Sequence, residues 1–465
     1  SRKFRSQTRL YHNYSKNKYT FINRGVGEID PETGDIINPL DTNKNAGYTI
    51  YGILQEFYYR PDENNVLSAK WWFQDADRAL PKATSYEGPV NSNLNRQNDR
   101  HNRAVIDWKH YSDRSRMSLM AGYSSKQLNY KLENLVPGLG LVPAVYSESS
   151  LDSYIGRFSY SYDITETLSV ETSLDANWET VDTRDSVAKT GYNEKRSEIS
   201  WFAAIRKGFV DRLNVNLMLR QDWVDYNIVP LTPYIGFDLR IVRNEDLFVK
   251  GNIARNYHQP ALNDLYWQPG GNPDLLPEEG FSFELGMEYS KDIENHSFMG
   301  EVTAFRSDID NWIIWIPGYK GYWEPDNIKR VVSQGVEFYL KVRGVFGRFS
   351  YLLSGNYAYT SSLNYGDPLV WGDESYGKQL PYIPRHSGNV LVKLSYRKFF
   401  INWQHNSYSE RFTTSSNDVT RRDRLYPYYM NDLGVGKEFK IKKLGFMTGF
   451  KIYNFISVGL IGLTD

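Results

Sequence analysis

The sequence predicts an all-β chain folded as a transmembrane antiparallel β-barrel. Three observations carry that prediction. From Phe281 to Tyr289, apolar Phe281, Phe283, Leu285, Met287 and Tyr289 alternate with Ser282, Glu284 and Glu288. Successive strand side chains point to opposite faces, so such a segment has one apolar face and one wet face. Second, short and long connections alternate along the chain, which gathers the short ones on one rim. Third, 36 Tyr, 23 Phe and 12 Trp make up 15% of the 465 residues, a level that suits aromatic girdles at two membrane interfaces. Lipid outside and water inside uses both faces of such strands.

The alternation recurs along the chain. Leu168, Val170, Leu174, Ala176 and Trp178 alternate with Ser169, Glu171, Ser173, Asp175 and Asn177. Leu213, Val215, Leu217 and Leu219 alternate with Asn214, Asn216 and Arg220, and Phe298, Val302 and Ala304 with Glu301 and Thr303. Turn-forming residues mark about ten short connections between such runs. They fall near Asn13–Lys18, Pro61–Asn65, Tyr111–Arg116, Asp163–Thr167, Gly208–Arg212, Arg243–Asp246, Lys291–His296, Arg343–Gly347, Arg397–Lys398 and Ile441–Lys443. Long connections are expected near Arg24–Gly47, Asp75–His101, Lys126–Ser150, Asn256–Glu279, Trp312–Val332, Ser361–His386 and Phe412–Pro427, with a shorter exception near Asn227–Thr232. Ten short turns imply about twenty strands in one barrel unit covering the whole chain. On this reading the chain enters on a strand running toward the short-turn rim and leaves on one running away from it. Periplasmic termini would then require about twenty-two strands, the size of a barrel with a plugged lumen.

Composition narrows the alternatives. Mean hydropathy is negative, which a barrel with a polar interior permits. No apolar run of 18 residues exists, so helical membrane spans are excluded. The 55 basic and 55 acidic residues cancel, and nucleic acid, which selects a basic excess, is not an expected partner. Cysteine is absent, removing disulfides, zinc–thiolate sites and cysteine nucleophiles. Ser1 opens into strand-like sequence with no charged-then-apolar leader. A soluble propeller would repeat every 40–50 residues or so, and no such repeat is present.

The stretch from Arg255 through Tyr257, Pro260, Leu262 and Tyr266 to Gly271, Asn272, Pro273, Leu275, Pro277 and Glu278 resembles the hallmark loop of TonB-dependent outer-membrane receptors. That family follows an aromatic-Pro-x-Leu segment with a Gly-Asn-Pro-x-Leu-x-Pro-Glu turn and a Glu-x-Gly strand, which Glu284, Leu285 and Gly286 supply here. Gly335, Val336 and Glu337 resemble its Gly-Val-Glu strand. Pro381, Pro384, Arg385 and His386 resemble its Pro-x-x-Pro-Arg-His loop exit, and Lys451–Asn454 the start of its penultimate strand. Motif-level similarity runs from about Arg255 to Asn454; earlier residues match in pattern only. The family's N-terminal plug and last strand have no counterpart here, and Phe455–Asp465 departs from the family's continuation. On this reading the chain is a fragment, or its reading frame is displaced near Phe455.

The resemblance implies a ligand-gated importer in the outer membrane of a Gram-negative bacterium. A scarce nutrient binds the extracellular loops, and the TonB complex, acting through the plug, drives its passage. Wording around Leu262–Leu275 looks closest to receptors for vitamin B12 and related corrinoids; iron-siderophore and haem receptors are the alternative. A passive porin and a surface ligand-binding protein are further alternatives. Aromatic faces beside amides suit a large, partly apolar ligand, which points to Asn263, Asp264, Tyr266, Trp267, Gln268, Tyr322, Trp323, Trp371 and Tyr376. Trp312 and Trp315 fit either this set or the outer aromatic girdle. Asp30, Glu32 and Asp35 in one loop, and Asp75 and Asp77 in another, are candidate structural calcium ligands, with solvated loop acids as the plainer reading. A surface lipoprotein capping the barrel stays open as a partner, beside outer-membrane lipid.

No catalytic constellation emerges. Ser15 and Lys18 fit Ser-x-x-Lys but fall in an expected turn rather than on a helix. Metalloprotease, nucleophile-elbow, phosphate-loop and dinucleotide motifs are absent, and the seven histidines are scattered. The expected protein is therefore a receptor and not an enzyme.

Overall fold

The structure is a computed structural model that describes residues 3–23, 27–81, 93–209, 212–317, 322–366, 375–419, 424–442 and 444–455. One twenty-stranded antiparallel sheet dominates. Nineteen of its strands form the wall; the twentieth is the two-residue Asn227–Ile228 bridge. In chain order the wall strands are β1 (Phe4–Ser15), β2 (Tyr48–Tyr59), β3 (Asn65–Leu80), β4 (Asn93–Tyr111), β5 (Ser115–Val136), β6 (Gly140–Thr165) and β7 (Leu168–Asp185). Next come β8 (Thr190–Phe209), β9 (Leu213–Val224), β10 (Thr232–Arg240), β11 (Asp246–His258), β12 (Glu278–Ile293) and β13 (His296–Pro317). The series ends with β14 (Trp323–Phe346), β15 (Phe349–Asn364), β16 (His386–Tyr396), β17 (Phe399–Tyr408), β18 (Tyr428–Ile441) and β19 (Leu444–Ile452). Each strand pairs with the next in sequence, so the wall is a meander without crossovers.

The two faces differ as the alternation requires. Ile106, Leu285 and Phe338 stand on one face, 64%, 59% and 49% exposed. Acidic side chains on the other face are far more enclosed: Asp99 is 8% exposed, Asp107 11% and Glu288 16%. The polar face is therefore the concave one. Its charges are cross-linked between strands, by Arg9–Glu56 at 3.3 Å, Lys70–Asp107 at 3.8 Å, and Arg78–Asp99, Arg157–Asp175 and Lys250–Glu288. A wet interior holds such pairs for about 0–1 kcal/mol each; most of their value lies in leaving no bare charge on the wall.

The height of the apolar band is legible on β13–β15. At the short-turn end, His296, Phe346, Phe349 and Tyr351 form a ring cluster. At the other end stand Tyr357 and Tyr359, both touching His386. Phe349 to Tyr359 is ten residues, roughly 33 Å along the strand and about 23 Å in height at a 45° tilt, which matches the hydrocarbon band of a barrel. Strands such as β6, with 26 residues, and β14, with 24, run far past that band. Their outer halves stand above the membrane as hairpins.

Nine of the ten expected short turns are present on one rim. The exception is Asn13–Lys18: Asn13, Tyr14 and Ser15 stay paired to Ile50, Thr49 and Tyr48, and the chain leaves the ladder only afterwards, with Asn17 at φ 47°. Hence β1 runs away from the short-turn rim, the reverse of the expectation, while β19 runs away from it as expected. The connection between β1 and β2 is thus long, with small ladders Thr20–Ile22 with Leu40–Thr42 and Glu28–Ile29 with Ile36–Ile37. Three expected long loops are mostly strand among the described residues: β3 and β4 stay paired to Leu80 and Asn95, β5 and β6 to Val136 and Gly140, and β13 and β14 to Pro317 and Trp323. One connection on the long-loop rim escaped notice. Between β7 and β8, Asp185 Oδ1 accepts the Val187 and Ala188 amides at 2.8 Å and closes a tight turn without Pro or Gly at its tip.

Candidate functional site

The long-loop rim carries the candidate ligand-binding crown. Its best-built part is the loop after β11. Pro260 starts it, buried, and a single helical turn follows, α1 (Leu262–Tyr266), with Leu262 packed inward. Asp264 fixes this turn in two directions. Its Oδ2 accepts the Ala261 amide at 2.9 Å, and its Oδ1 accepts Trp315 Nε1 at 3.0 Å from the neighbouring hairpin. The loop then folds back: the Gly271 amide donates to Trp267 O, and the Asn272 amide to Asp264 O at 2.8 Å. Gly270 sits at φ 116°, where an L side chain is strained, and a Cβ there would also meet the Trp323 carbonyl.

Asn327 on β14 completes the brace. Its Oδ1 accepts the Leu276 amide at 2.9 Å, while its Nδ2 donates to Leu276 O at 3.0 Å and Asn311 O at 2.7 Å. Asn272 Nδ2 reaches Pro325 O at 3.3 Å, and Glu278 Oε1 accepts the Ile313 amide at 2.7 Å. On the opposite side the loop leans over the low β9–β10 hairpin to the β7–β8 tip. There Tyr266 lies 6.1 Å from Tyr192, and the Gly191 amide reaches Gln268 Oε1 at 3.4 Å. Buried Val224 and Val229 of the low hairpin lie between those two taller parts of the wall.

The sequence-predicted residues separate into two kinds. Asp264 and Trp315 hold each other, and Glu278 caps a backbone amide, so these are framework. Asn263 and Gln268 are exposed, Tyr266 and Trp267 half-buried, and Trp323 is 59% exposed on the facing hairpin, its carbonyl against Gly270. Tyr322 is half-buried beside Gly270. Those six line one side of the crown. Trp312 and Trp315 lie further up β13 than Asp308 and Asp310 of its outward face, and so above the girdle rather than in it. Tyr376 belongs elsewhere: its ring meets Tyr365 edge-on at 5.7 Å, on the β13–β15 side of the wall. Trp371 lies outside the described residues.

The carboxylates also separate. Asp30 stays in a loop, where its Oδ1 accepts the Glu32 amide at 2.8 Å and its backbone carbonyl accepts the Gly34 amide. The Glu32 amide, with a smaller part from Thr33, holds the Asp30 carboxyl below its ordinary range. Asp35 joins through its carbonyl to the Asp30 amide, and Glu32 is exposed. Asp75 and Asp77 are not in a loop at all. They lie on β3 above Trp71 and Phe73, paired to Arg100 at 3.1 Å and to Arg96. Strand pairing with β4 continues to Leu80, because arginines and asparagines facing those acids make a polar ladder that needs no turn. Among the described residues, no three His, Asp or Glu side chains gather as a metal would require.

A second brace went unseen in the sequence. Gln379 is 1% exposed; its Oε1 accepts the Ser362 amide, and its backbone amide and carbonyl both bond the Asn417 side chain at 2.7 Å. One glutamine thus ties the loop after β15 to the loop after β17. Asn327 and Gln379 carry no motif, and only their central position between long loops could have flagged them.

A large antiparallel meander with an apolar convex face, a charged concave face and a crown of braced loops defines an outer-membrane receptor barrel. The chain belongs to the TonB dependent receptor-like β-barrel family, whose model matches residues 11–455. Similar curated proteins include the vitamin B12 transporter BtuB of Photobacterium profundum, 33% identical over 96 residues, 20% of this chain and 15% of that one. BtuB of Vibrio vulnificus strain YJ016 is 26% identical over 259 residues, 46% of this chain and 41% of that one. The matched segments thus cover well under two thirds of those relatives. Solved structures share the fold. The ferric enterobactin receptor PfeA of Pseudomonas aeruginosa superposes with TM-score 0.70 at 17% identity, covering 97% of this chain and 71% of that one. Copper transporter OprC superposes with TM-score 0.70 at 11% identity, covering 97% and 70%.

Proposed function

We propose that this barrel belongs to a Gram-negative outer-membrane receptor that imports a corrinoid through TonB. The observation that carries the reading is the division of labour in the hallmark loop. Asp264, Asn272, Trp315 and Asn327 are spent on holding it, which leaves Trp267 and Trp323 presented on a fixed frame beside Gln268, whose Oε1 takes the Gly191 amide. A rigid pair of indoles beside an amide suits a large, flat, partly apolar ligand with amide side chains. Similarity to B12 transporters supports the corrinoid over other nutrients. Passage is driven by TonB acting on a plug in the lumen, whose charged wall offers paired groups rather than an apolar lining.

Calorimetric titration of cyanocobalamin into the detergent-purified receptor tests this, with calcium and with a chelator. Tight binding that weakens at least tenfold in Trp267→Ala and Trp323→Ala supports the reading. A calcium requirement abolished by Asp30→Asn would assign the loop acids as ligands. Absence of binding under both conditions overturns the corrinoid assignment and directs the titration to ferric siderophores and haem.

A further inference from the structure

On the outward face of β13–β15, an apolar groove and a cup lined by two arginines lie one above the other. The groove, about 720 Å³, is floored by Gly300 and Gly355 and walled by Met287, Phe338, Leu340 and Tyr357. All six belong to the lipid-facing set: Gly300 pairs with Leu340, Leu340 with Gly355, and Phe338 with Tyr357. The two glycines matter because neighbouring positions carry large side chains: Gly300 lets the Phe298 ring lie close over the backbone, and Gly355 keeps the floor low between Leu340 and Val390. Above it, on the same strands and face, a cup of about 160 Å³ is lined by Arg306, Arg330, Val332, Gln334 and Tyr365. Gly300 to Arg306 is six residues, about 20 Å along the strand.

The charges of the cup are arranged for an anion with room above it. Asp308 binds both guanidiniums, Arg306 at 3.1 Å and Arg330 at 3.1 Å, and Asp310 stands opposite Arg330 in register. Neither carboxylate lines the cup; both arginines do, each about half exposed. Asp308 thus orients the two forks, and Arg306 Nη1 donates to Gln334 Oε1 at 3.3 Å, so the guanidinium N–H groups that remain are what the cup offers an anion. Guanidinium pairs of this kind suit phosphate. Tyr357 and Tyr359 mark the boundary between groove and cup, at the upper end of the apolar band. A ligand filling both is an amphiphile with acyl chain in the membrane and phosphate at the outer interface.

We propose that the outward face of β13–β15 is a binding site for the phosphorylated glycolipid of the outer leaflet, with an acyl chain lying over Gly300 and Gly355 and a phosphate between Arg306 and Arg330. Long loops mark this rim as extracellular, so the lipid that meets the cup comes from that leaflet.

Native mass spectrometry of the receptor, extracted in mild detergent and offered purified lipid A, tests the site. Wild type should retain lipid A, and Arg306→Gln with Arg330→Gln should lose at least tenfold of it. Gly355→Leu, which fills the groove and leaves the arginines alone, should lose it too. Heat-modifiable gel mobility checks that each variant is folded. Dephosphorylated lipid A should bind at least tenfold more weakly than lipid A. Equal retention by the double arginine variant, equal binding of the dephosphorylated lipid, or equal displacement by phosphatidylglycerol would each overturn the proposal.

Discussion

Two long connections on the same rim, the loop between β1 and β2 and the hallmark loop between β11 and β12, are held by opposite means. The first is folded on itself. Two small ladders, Thr20–Ile22 with Leu40–Thr42 and Glu28–Ile29 with Ile36–Ile37, use backbone bonds within the loop. It touches the wall chiefly through Asn45, whose Nδ2 donates to Leu80 O at 2.9 Å and Asn95 O at 3.0 Å. The hallmark loop has almost no internal ladder and is fixed from outside, by Asn327, Trp315 and Pro325 of the adjacent hairpin. The difference teaches where a binding surface can be built. Side chains on an externally braced loop hold their places relative to neighbouring loops, whereas a self-folded loop can move as a unit.

The largest expected effect is at Asn327. Asn327→Ala removes three hydrogen bonds at about 0.5–1.5 kcal/mol each and strands both backbone groups of Leu276. Hydrogen exchange should rise across 272–277 while barrel strands stay protected. If exchange there is unchanged, the brace is not what fixes the loop, and the contrast with the first loop fails.

Asn45→Gly comes next. Asn45 has φ 54°, so glycine keeps the backbone and deletes only the two anchor bonds, worth about 1–3 kcal/mol together. Exchange should rise at 43–47 and not at 28–37, because the small ladders do not depend on the anchor. Loss of protection throughout 20–42 would show that the loop is not self-folded. Trp315→Phe is a finer probe of the hallmark side. It keeps a ring and loses one bond to Asp264, at a cost of about 1 kcal/mol. Corrinoid affinity should fall less than tenfold, since the indole is framework; a larger fall with unchanged exchange at 261–267 would make Trp315 part of the ligand surface.

What the sequence disclosed follows the same division. Wall strands announce themselves because lipid and lumen impose a period of two, and nine short turns are marked by local turn chemistry. The hallmark loop was legible because proline and glycine fix its backbone locally. Misreadings sit where pairing overrides local signals. Asn13 and Ser15 look like turn residues but are carried in the ladder by β2, and Asp75 and Asp77 look like loop acids but are carried by Arg100 and Arg96 of β4. Asn327 and Gln379 were invisible because their roles depend on two loops meeting, which no spacing within one strand records.

The smallest predicted effect tests whether the first loop answers to its own chemistry. The Glu32 amide, more than any other contact, stabilises the charged form of Asp30, so the carboxyl in the folded loop titrates below the usual aspartate value of 3.8. A depressed carboxyl contributes stability that is present above its unfolded value and lost as pH falls through the folded one. At neutral pH the turn is therefore fully supported, and acid below pH 3.8 should release it. The Glu32 amide resonance should shift with a midpoint below 3.8, and Asp30→Asn, which keeps an acceptor oxygen, should abolish that titration without unfolding the small ladders. A midpoint at or above 3.8 would mean that the amide does not hold the carboxylate in solution. The loop would then be ordered by its ladders alone, and Asp30 would be free to serve a cation instead.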